Sequence, residues 1–343
     1  MRAVVCPRAP IAPSELVYTT NHPAPQPKQG HVLIRVKAYG LNRSELFTRQ
    51  GLSPGIQFPR VLGIECVGVV KDPGGDSQWK EGDTVAACMG GMGRQFDGGY
   101  AEYALVPHTS VSPPVKLPAS MAWAEFAAIP ETFATAWGTL SESLHLQPND
   151  TLLIRGGTTS VGLACAALAK SSLFGSDNKP TVISTTRAER KVPAVKAAGA
   201  DVVLLDKENT VSVKVKQATA GKGATKCIEL VGGTTIVDSC QSLSDNGVLS
   251  FVGCVSGEWT IKNFDPMQAL APWKASRRLA HMTMCSSGYL NISKIPLQWM
   301  VDAVASGELK PSLDKVFKME ETGVAHAYME ANSAAGKVVC VVD

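Results

Sequence analysis

The sequence predicts an α/β protein in two parts, a doubly wound parallel sheet and, ahead of it, an irregular β domain. Three observations carry this. Leu152 to Lys170, LLIRGGTTSVGLACAALAK, reads as a buried strand, a glycine-rich turn and the first turns of an apolar helix. Behind it, strand-like and helix-like runs alternate, the pattern of a parallel sheet with helical crossovers. In front of it, short β-type runs are broken by proline and glycine. A chain of 343 residues is too long for one ordinary core and fits two domains.

The elements follow in order. His31 to Val36, Cys66 to Val70, Thr84 to Ala87 and Tyr100 to Val106 are the β runs of the first part. Pro107 to Ala119 is proline-rich, and Trp123 to Leu140 turns helical with an interruption at Pro130, which has no N–H to continue a helix. The expected division is therefore a β domain over 1–122, a sheet domain over 123–288, and a return to the first domain over 289–343. Within the sheet domain the β-branched run Thr181 to Thr186 is a strand, Arg187 to Ala198 a helix closed by Gly199, and Val202 to Leu205 the next strand. Lys226 to Val231, Gly247 to Val252 and Arg278 to Ser286 continue the series. Leu297 to Ala305 reads as a helix, and Gly336 to Val342 as a last strand that rejoins the first domain.

The glycine turn carries the chemistry. The first N–H groups of a helix have no partner within it and bear partial positive charge, so a diphosphate can sit there without a dedicated lysine. Gly157 is expected to make the turn and Gly162 to let the helix pack on the strand. Thr158, Thr159, Ser160 and Val161 line the grip, with hydroxyl donors from Thr159 and Ser160. Alone, the stretch also fits an ordinary capped strand–helix unit, and the alternation behind it decides for a dinucleotide. The strand that ends at Thr186 places Ser184, Thr185, Thr186 and Arg187 at the adenosine ribose, with Arg190 and Lys191 following. Hydroxyls and cations there suit a 2′-phosphate, so NADPH is expected rather than NADH, with Asp206 as an opposing charge.

Composition narrows the function classes. A formal charge of +3 with no block of like charge points to neither nucleic acid nor a membrane surface as a partner, and leaves a small uncharged substrate. The nine cysteines are scattered among apolar neighbours with no C-x-x-C pair, as buried thiols in a reducing compartment would be. The apolar run at the start is too short for a signal peptide, and a cytoplasmic protein is expected.

Spaced segments resemble the medium-chain dehydrogenase/reductase superfamily, and within it the zinc-independent quinone oxidoreductase and enoyl reductase group. They are Gly40-Leu-Asn-Arg-Ser-Glu-Leu46, Phe58-Pro-Arg-Val-Leu-Gly-Ile-Glu65, Gly82-Asp-Thr-Val85, Gly98-Gly-Tyr-Ala-Glu-Tyr103, Ala127-Ala-Ile-Pro130 with Thr135-Ala-Trp137, the glycine turn, and Gly336-Lys-Val-Val339. The resemblance implies a GroES-like β domain for substrate, a Rossmann domain for NADP(H), a cleft between them and a homodimer built through the Rossmann sheets. It implies that Asn42 and Thr135 lie near the nicotinamide, and Ser160, Val161, Ser184 and Lys191 near phosphates and ribose. The positions that carry a cysteine and a histidine on the metal in zinc relatives are Asn42 and Ile64 here, and no metal is expected.

Without a Lewis acid, hydride addition to a quinone or an α,β-unsaturated carbonyl is favoured over alcohol oxidation, because the developing charge is delocalised. The expected activity is an NADPH-dependent reductase of such substrates, as in a stand-alone enoyl reductase of a biosynthetic pathway. A catalytically silent NADPH-binding protein of the crystallin kind and a metal-free alcohol or aldehyde reductase are the alternatives. The proton donor is unassigned. Phe47 and Ser53 stand where some bacterial relatives carry tyrosines, and Tyr100, Tyr103 and Tyr289 are candidates by chemistry only. Cys66 and Cys254 are read as inert thiols. Phe47 to Phe58 and Phe264 to Trp273 are the expected pocket walls.

Overall fold

The computed structural model describes every residue except 176, 209, 258, 259, 262–268, 270–279 and 332. In chain order the strands are β1 (Ala3–Cys6), β2 (Val17–Thr19), β3 (His31–Leu41), β4 (Arg60–Val61), β5 (Glu65–Asp72), β6 (Thr84–Cys88), β7 (Tyr103–Pro107), β8 (Thr151–Arg155), β9 (Thr181–Thr186), β10 (Val202–Leu205), β11 (Ala224–Glu229), β12 (Leu243–Phe251), β13 (Ala280–Met284), β14 (Leu313–Lys318) and β15 (Lys337–Val341). The helices used below are α1 (Arg43–Arg49), α2 (Trp123–Ala127), α3 (Pro130–Trp137), α4 (Ser160–Ala169), α5 (Val192–Ala197), α6 (Val211–Ala218), α7 (Ile236–Gln241), α8 (Leu297–Ala305) and α9 (Thr322–Glu330).

Two compact units result. The first takes Met1–Ala134 and Ser287–Asp343, the second Thr135–Ser286. The expected boundaries at 122/123 and 288/289 shift to 134/135 and 286/287. The reason is packing: α2 lies against β3, β5 and β15, and the Glu131 N–H of α3 donates to Glu65 Oε2 at 2.9 Å. Pro130 marks a break between two helices, while the domain division comes later.

In the first unit the main sheet runs β14-β15-β3-β5-β6, with β7 also paired to β3, and a small sheet runs β2-β1-β4. Strand β15 is the β-branched run foreseen near the end of the chain, and it pairs antiparallel with β3 through Val339↔Gly40 and Cys340↔Tyr39. Val32, Ile34, Val36 and Leu41 of β3 pack with Val338 and Cys340 in one apolar core. Tyr100 stacks on Tyr39 in that core at 4.6 Å between ring centres, and its hydroxyl lies 3.2 Å from His326 Nε2. Tyr100 is therefore a core residue and not a proton donor to substrate.

The second unit is a parallel sheet in the order β10-β9-β8-β11-β12-β13, with every neighbouring pair parallel. Counted from β8 this is 3-2-1-4-5-6, the doubly wound order, in which the order reverses between β8 and β11, the place where sheets of this kind bind ligands beyond their strand ends. Both faces are covered, which is why the central strands read as continuous apolar runs. Leu153, Ile183, Cys227 and Leu249 pack with Val211 and Val215 of α6 and Ile236 and Cys240 of α7. The helix expected from Arg187 starts later: Glu189–Lys191 is a single 3-10 turn before α5, and Gly199 ends the segment at φ +113°. The strand expected over Arg278 to Ser286 is β13, with residues 278 and 279 outside the described set. No helix among the described residues is long and apolar enough to cross a membrane.

Candidate functional site

In the second unit, β8 ends at Arg155 and the chain turns at Gly156 before α4. It is Gly156, at φ +90°, that takes the left-handed backbone of the turn, and not Gly157. Gly157 has a different task. A Cβ there would stand 1.9 Å from Ser184 Oγ, so the turn closes over β9 only because the side chain is missing. Gly162 serves as foreseen, since a Cβ there would meet Gly156 O at 2.6 Å and Gly157 Cα at 2.9 Å. Replacing Gly162 with alanine drives helix and turn apart. It is expected to cost about 1–3 kcal/mol, measured by urea unfolding, and an unchanged midpoint would refute the close packing.

The hydroxyl of Thr159 is committed to the protein. It donates to Gly156 O at 2.9 Å and accepts from the Gly162 N–H at 2.9 Å, capping α4, and it is not a donor to a phosphate. The cap consumes one helix-start N–H. Those of Thr158, Ser160 and Val161 find no acceptor among the described residues, and the positive end of the α4 dipole lies at this turn. Ser160, Thr158 and Val161 are half-buried there.

At the end of β9 the two sides of the expected ribose site separate. Ser184 is fully buried beneath Gly157 with its hydroxyl unpartnered, so it supports the turn from below and does not line the rim. Thr185 and Thr186 are also buried, the former accepting the Gly156 N–H on its Oγ1 at 3.1 Å. Arg187 and Arg190 are exposed beyond the strand end, and Lys191 is half-buried at the start of α5. Asp206, the expected opponent of a phosphate, is bound by the buried Arg155: Nε donates to Oδ2 at 2.7 Å and Nη2 to Oδ1 at 3.0 Å. Arg155 escaped the reading of the sequence. Its signal was a charged residue closing an otherwise apolar strand.

In the first unit, Asn42 precedes α1 and is tied into a buried polar cluster. Its Oδ1 accepts from Lys337 Nζ at 2.6 Å, and its Nδ2 donates to Glu65 Oε1 at 2.9 Å and more weakly to Glu45 Oε1 at 3.4 Å. Lys337 pairs with Glu65 at 2.5 Å, both almost wholly out of water, and Gly40 leaves the room for them. Burial works against the Lys337 charge, but the carboxylates of Glu65 and Glu131 outweigh it and hold the ammonium's pKa up. Glu45 lies under the same cluster, accepting the Ile64 N–H on Oε1 at 3.2 Å while Oε2 has no partner. Burial pushes its carboxyl up to about 7, the Ile64 bond and Lys337 opposing only in part. Glu45, Glu65 and Lys337 were not singled out from the sequence, because the contact joins residues up to 295 positions apart.

Thr135 is buried at the start of the second unit, its carbonyl accepting from Thr139 Oγ1 at 2.7 Å. Tyr289 is exposed and Tyr103 half-buried. Cys66 is buried with its thiol raised to about 12 by burial and by Glu65, and Cys254 is buried as well. Of the two expected pocket walls, Phe264 to Trp273 falls outside the described residues apart from position 269.

The comparisons with known proteins agree with this architecture. Residues 28–118 match the alcohol dehydrogenase GroES-like domain, and residues 198–340 match the zinc-binding dehydrogenase family. The quinone oxidoreductase of Lama guanicoe is 28% identical over 337 residues, 96% of this chain and 94% of that protein. The chain belongs to the medium-chain dehydrogenase/reductase superfamily. Among solved structures, an NAD-dependent alcohol dehydrogenase superposes with a TM-score of 0.83 at 28% identity, with both chains fully covered. A mycobacterial protein complexed with NADPH superposes at 0.84 with 26% identity, again over both whole chains. Membership makes the chain an oxidoreductase with a GroES-like and a Rossmann unit, the latter of the NAD(P)-binding type.

The superfamily also contains zinc enzymes, and the residues here do not suit that metal. Asn42 has both polar ends engaged, Ile64 offers no lone pair, and the Lys337 ammonium already stands at the cluster. Among the described residues no group of three or more His, Cys, Asp or Glu side chains is arranged to hold a metal ion.

Proposed function

We propose that the chain is an NADPH-dependent, zinc-independent reductase that passes a hydride to a quinone or an α,β-unsaturated carbonyl. The observation that carries this reading is the pairing of the helix-start N–H groups of Thr158, Ser160 and Val161 with exposed arginines at the end of β9. The former suit a diphosphate and the latter a third phosphate. The resemblance to quinone oxidoreductases supports the acceptor class.

NADPH, when bound, supplies the hydride; the rest is the work of this chain's residues. Thr158, Ser160 and Val161 would hold the diphosphate through backbone N–H groups, and Arg187 with Arg190 the 2′-phosphate. Lys191 stands beside them as a weaker contributor. Asn42 is a positioning residue: Lys337 and Glu65 lock its amide from both sides, so the loop that carries it cannot turn. Delocalised charge on a conjugated carbonyl needs only hydrogen bonds nearby, in keeping with the absence of metal ligands at positions 42 and 64.

The test is ligand-dependent melting followed by turnover. At a concentration about a hundred times its dissociation constant, NADPH is expected to add about 2.7 kcal/mol of stability, with NADH at the same concentration adding clearly less. Loss of NADPH absorbance should then follow with a panel of quinones and enones. Equal protection by NADH would refute the 2′-phosphate reading. Binding without oxidation by any acceptor would favour a silent NADPH-binding protein, and turnover with aldehydes alone a metal-free carbonyl reductase.

A further inference from the structure

Arg155 is fully buried at the end of β8, yet it holds two carboxylates. Asp206 takes it bidentately, and Nη1 donates to Asp238 Oδ2 at 2.6 Å. Asp238 is fixed in turn, for it accepts the Val211 N–H and the Ser212 N–H, each at 3.1 Å, at the start of α6. The guanidinium is thus anchored from two sides and cannot swing toward solvent. Burial disfavours its charge, but the two aspartates more than offset this and keep it ionised.

The place of Asp206 gives this cluster a consequence for ligand choice. Its N–H donates to Thr186 O at 2.9 Å, and β10 runs parallel to β9 with Leu205 beside Thr186. Asp206 therefore flanks the residue just before Arg187, where a doubly wound fold presents the adenosine ribose. An uncompensated carboxylate at this spot would repel a 2′-phosphate and attract a free ribose hydroxyl. The acidic neighbour Glu189 is exposed and paired at the surface with Lys207 at 3.4 Å, and Arg187 and Arg190 are exposed cations beside it.

We infer that Arg155 determines cofactor selectivity from beneath the site: by holding the Asp206 carboxylate against itself, it keeps the ribose rim cationic and open to a 2′-phosphate. This rests on the NADPH reading above and assigns it to a residue that the cofactor does not touch.

The test is fluorescence titration of NADPH and NADH against the parent, Arg155→Met, Arg155→Met/Asp238→Asn and Arg155→Met/Asp206→Asn. The first two leave Asp206 bare, the second with one buried charge fewer to endanger folding. In both, the NADPH dissociation constant should rise about tenfold or more while that of NADH changes by less than about threefold. Arg155→Met/Asp206→Asn removes the bare charge and should recover NADPH binding to within about threefold of the parent. Equal weakening of both cofactors, or no recovery in that last variant, makes the cluster a structural staple and overturns the inference. A parent that prefers NADPH together with variants that keep the preference overturns the inference alone. A parent that binds both cofactors equally overturns the inference and the NADPH reading together.

Discussion

Replacing Lys337 with methionine is expected to cost about 3–5 kcal/mol of stability, because Glu65 would be left as a carboxylate with its cation gone. Both side chains are almost fully excluded from water, with exposures of 3% and 1%, so solvent cannot take over the role of the ammonium. Asn42, the residue just before α1, would lose the donor on its Oδ1 in the same step. The measurement is urea unfolding of Lys337→Met and of Lys337→Met/Glu65→Gln. The double variant should recover a large part of the loss, since it removes the stranded charge. A single variant within about 1 kcal/mol of the parent would contradict the pairing described here.

The second large effect is a pair of opposed pH dependences in the first unit. His326 is buried, with Nδ1 accepting from Arg49 Nε at 3.3 Å, so its proton sits on Nε2 facing Tyr100. Burial first, and the Arg49 charge second, lower its pKa from 6.5 to about 3. Between those values the unfolded chain binds a proton that the folded one refuses. Stability is therefore complete above 6.5 and falls as pH drops toward 3, by about 4–5 kcal/mol.

Glu45 has the opposite sign. Its pKa rises from 4.5 to about 7, so its contribution is complete below 4.5 and is lost as pH climbs to 7, by about 3 kcal/mol. The two ramps overlap between 4.5 and 6.5 and largely cancel there. Glu45→Gln keeps an oxygen for the Ile64 N–H and cannot ionise. Its stability relative to the parent should improve by about 3 kcal/mol between pH 4.5 and 7, read from urea unfolding at a series of pH values. A difference that stays constant with pH would show that Glu45 is ionised in the folded protein.

Much of the fold was legible because its signals are local. Thr181 to Thr186, Val202 to Leu205 and Leu297 to Ala305 form the elements foreseen for them, to the residue. Each is a run of strong β-formers or a periodic apolar stripe with clear punctuation at its ends. The glycine turn was legible as a unit but not in its division of labour. Which of Gly156 and Gly157 turns the backbone depends on Ser184, which comes up beneath the second of them from another strand. The same limit hid the polar cluster of the first unit. Glu45 and Glu65 stand within two of the resemblance segments without a role of their own until β15 brings Lys337 to them, and no periodicity encodes that meeting.

Strand β15 also sets an order of assembly. The stretch 135–286 is contiguous, and a nascent chain can complete it as soon as it clears the ribosome. The first 134 residues have no such freedom, for Val339 must lie beside Gly40 and Lys337 must reach Glu65 before their sheet is whole. A protein made in this sequence matures from the middle outward, and a messenger truncated shortly before codon 337 would yield a finished nucleotide-binding half beside an amino-terminal half that proteases can still cut.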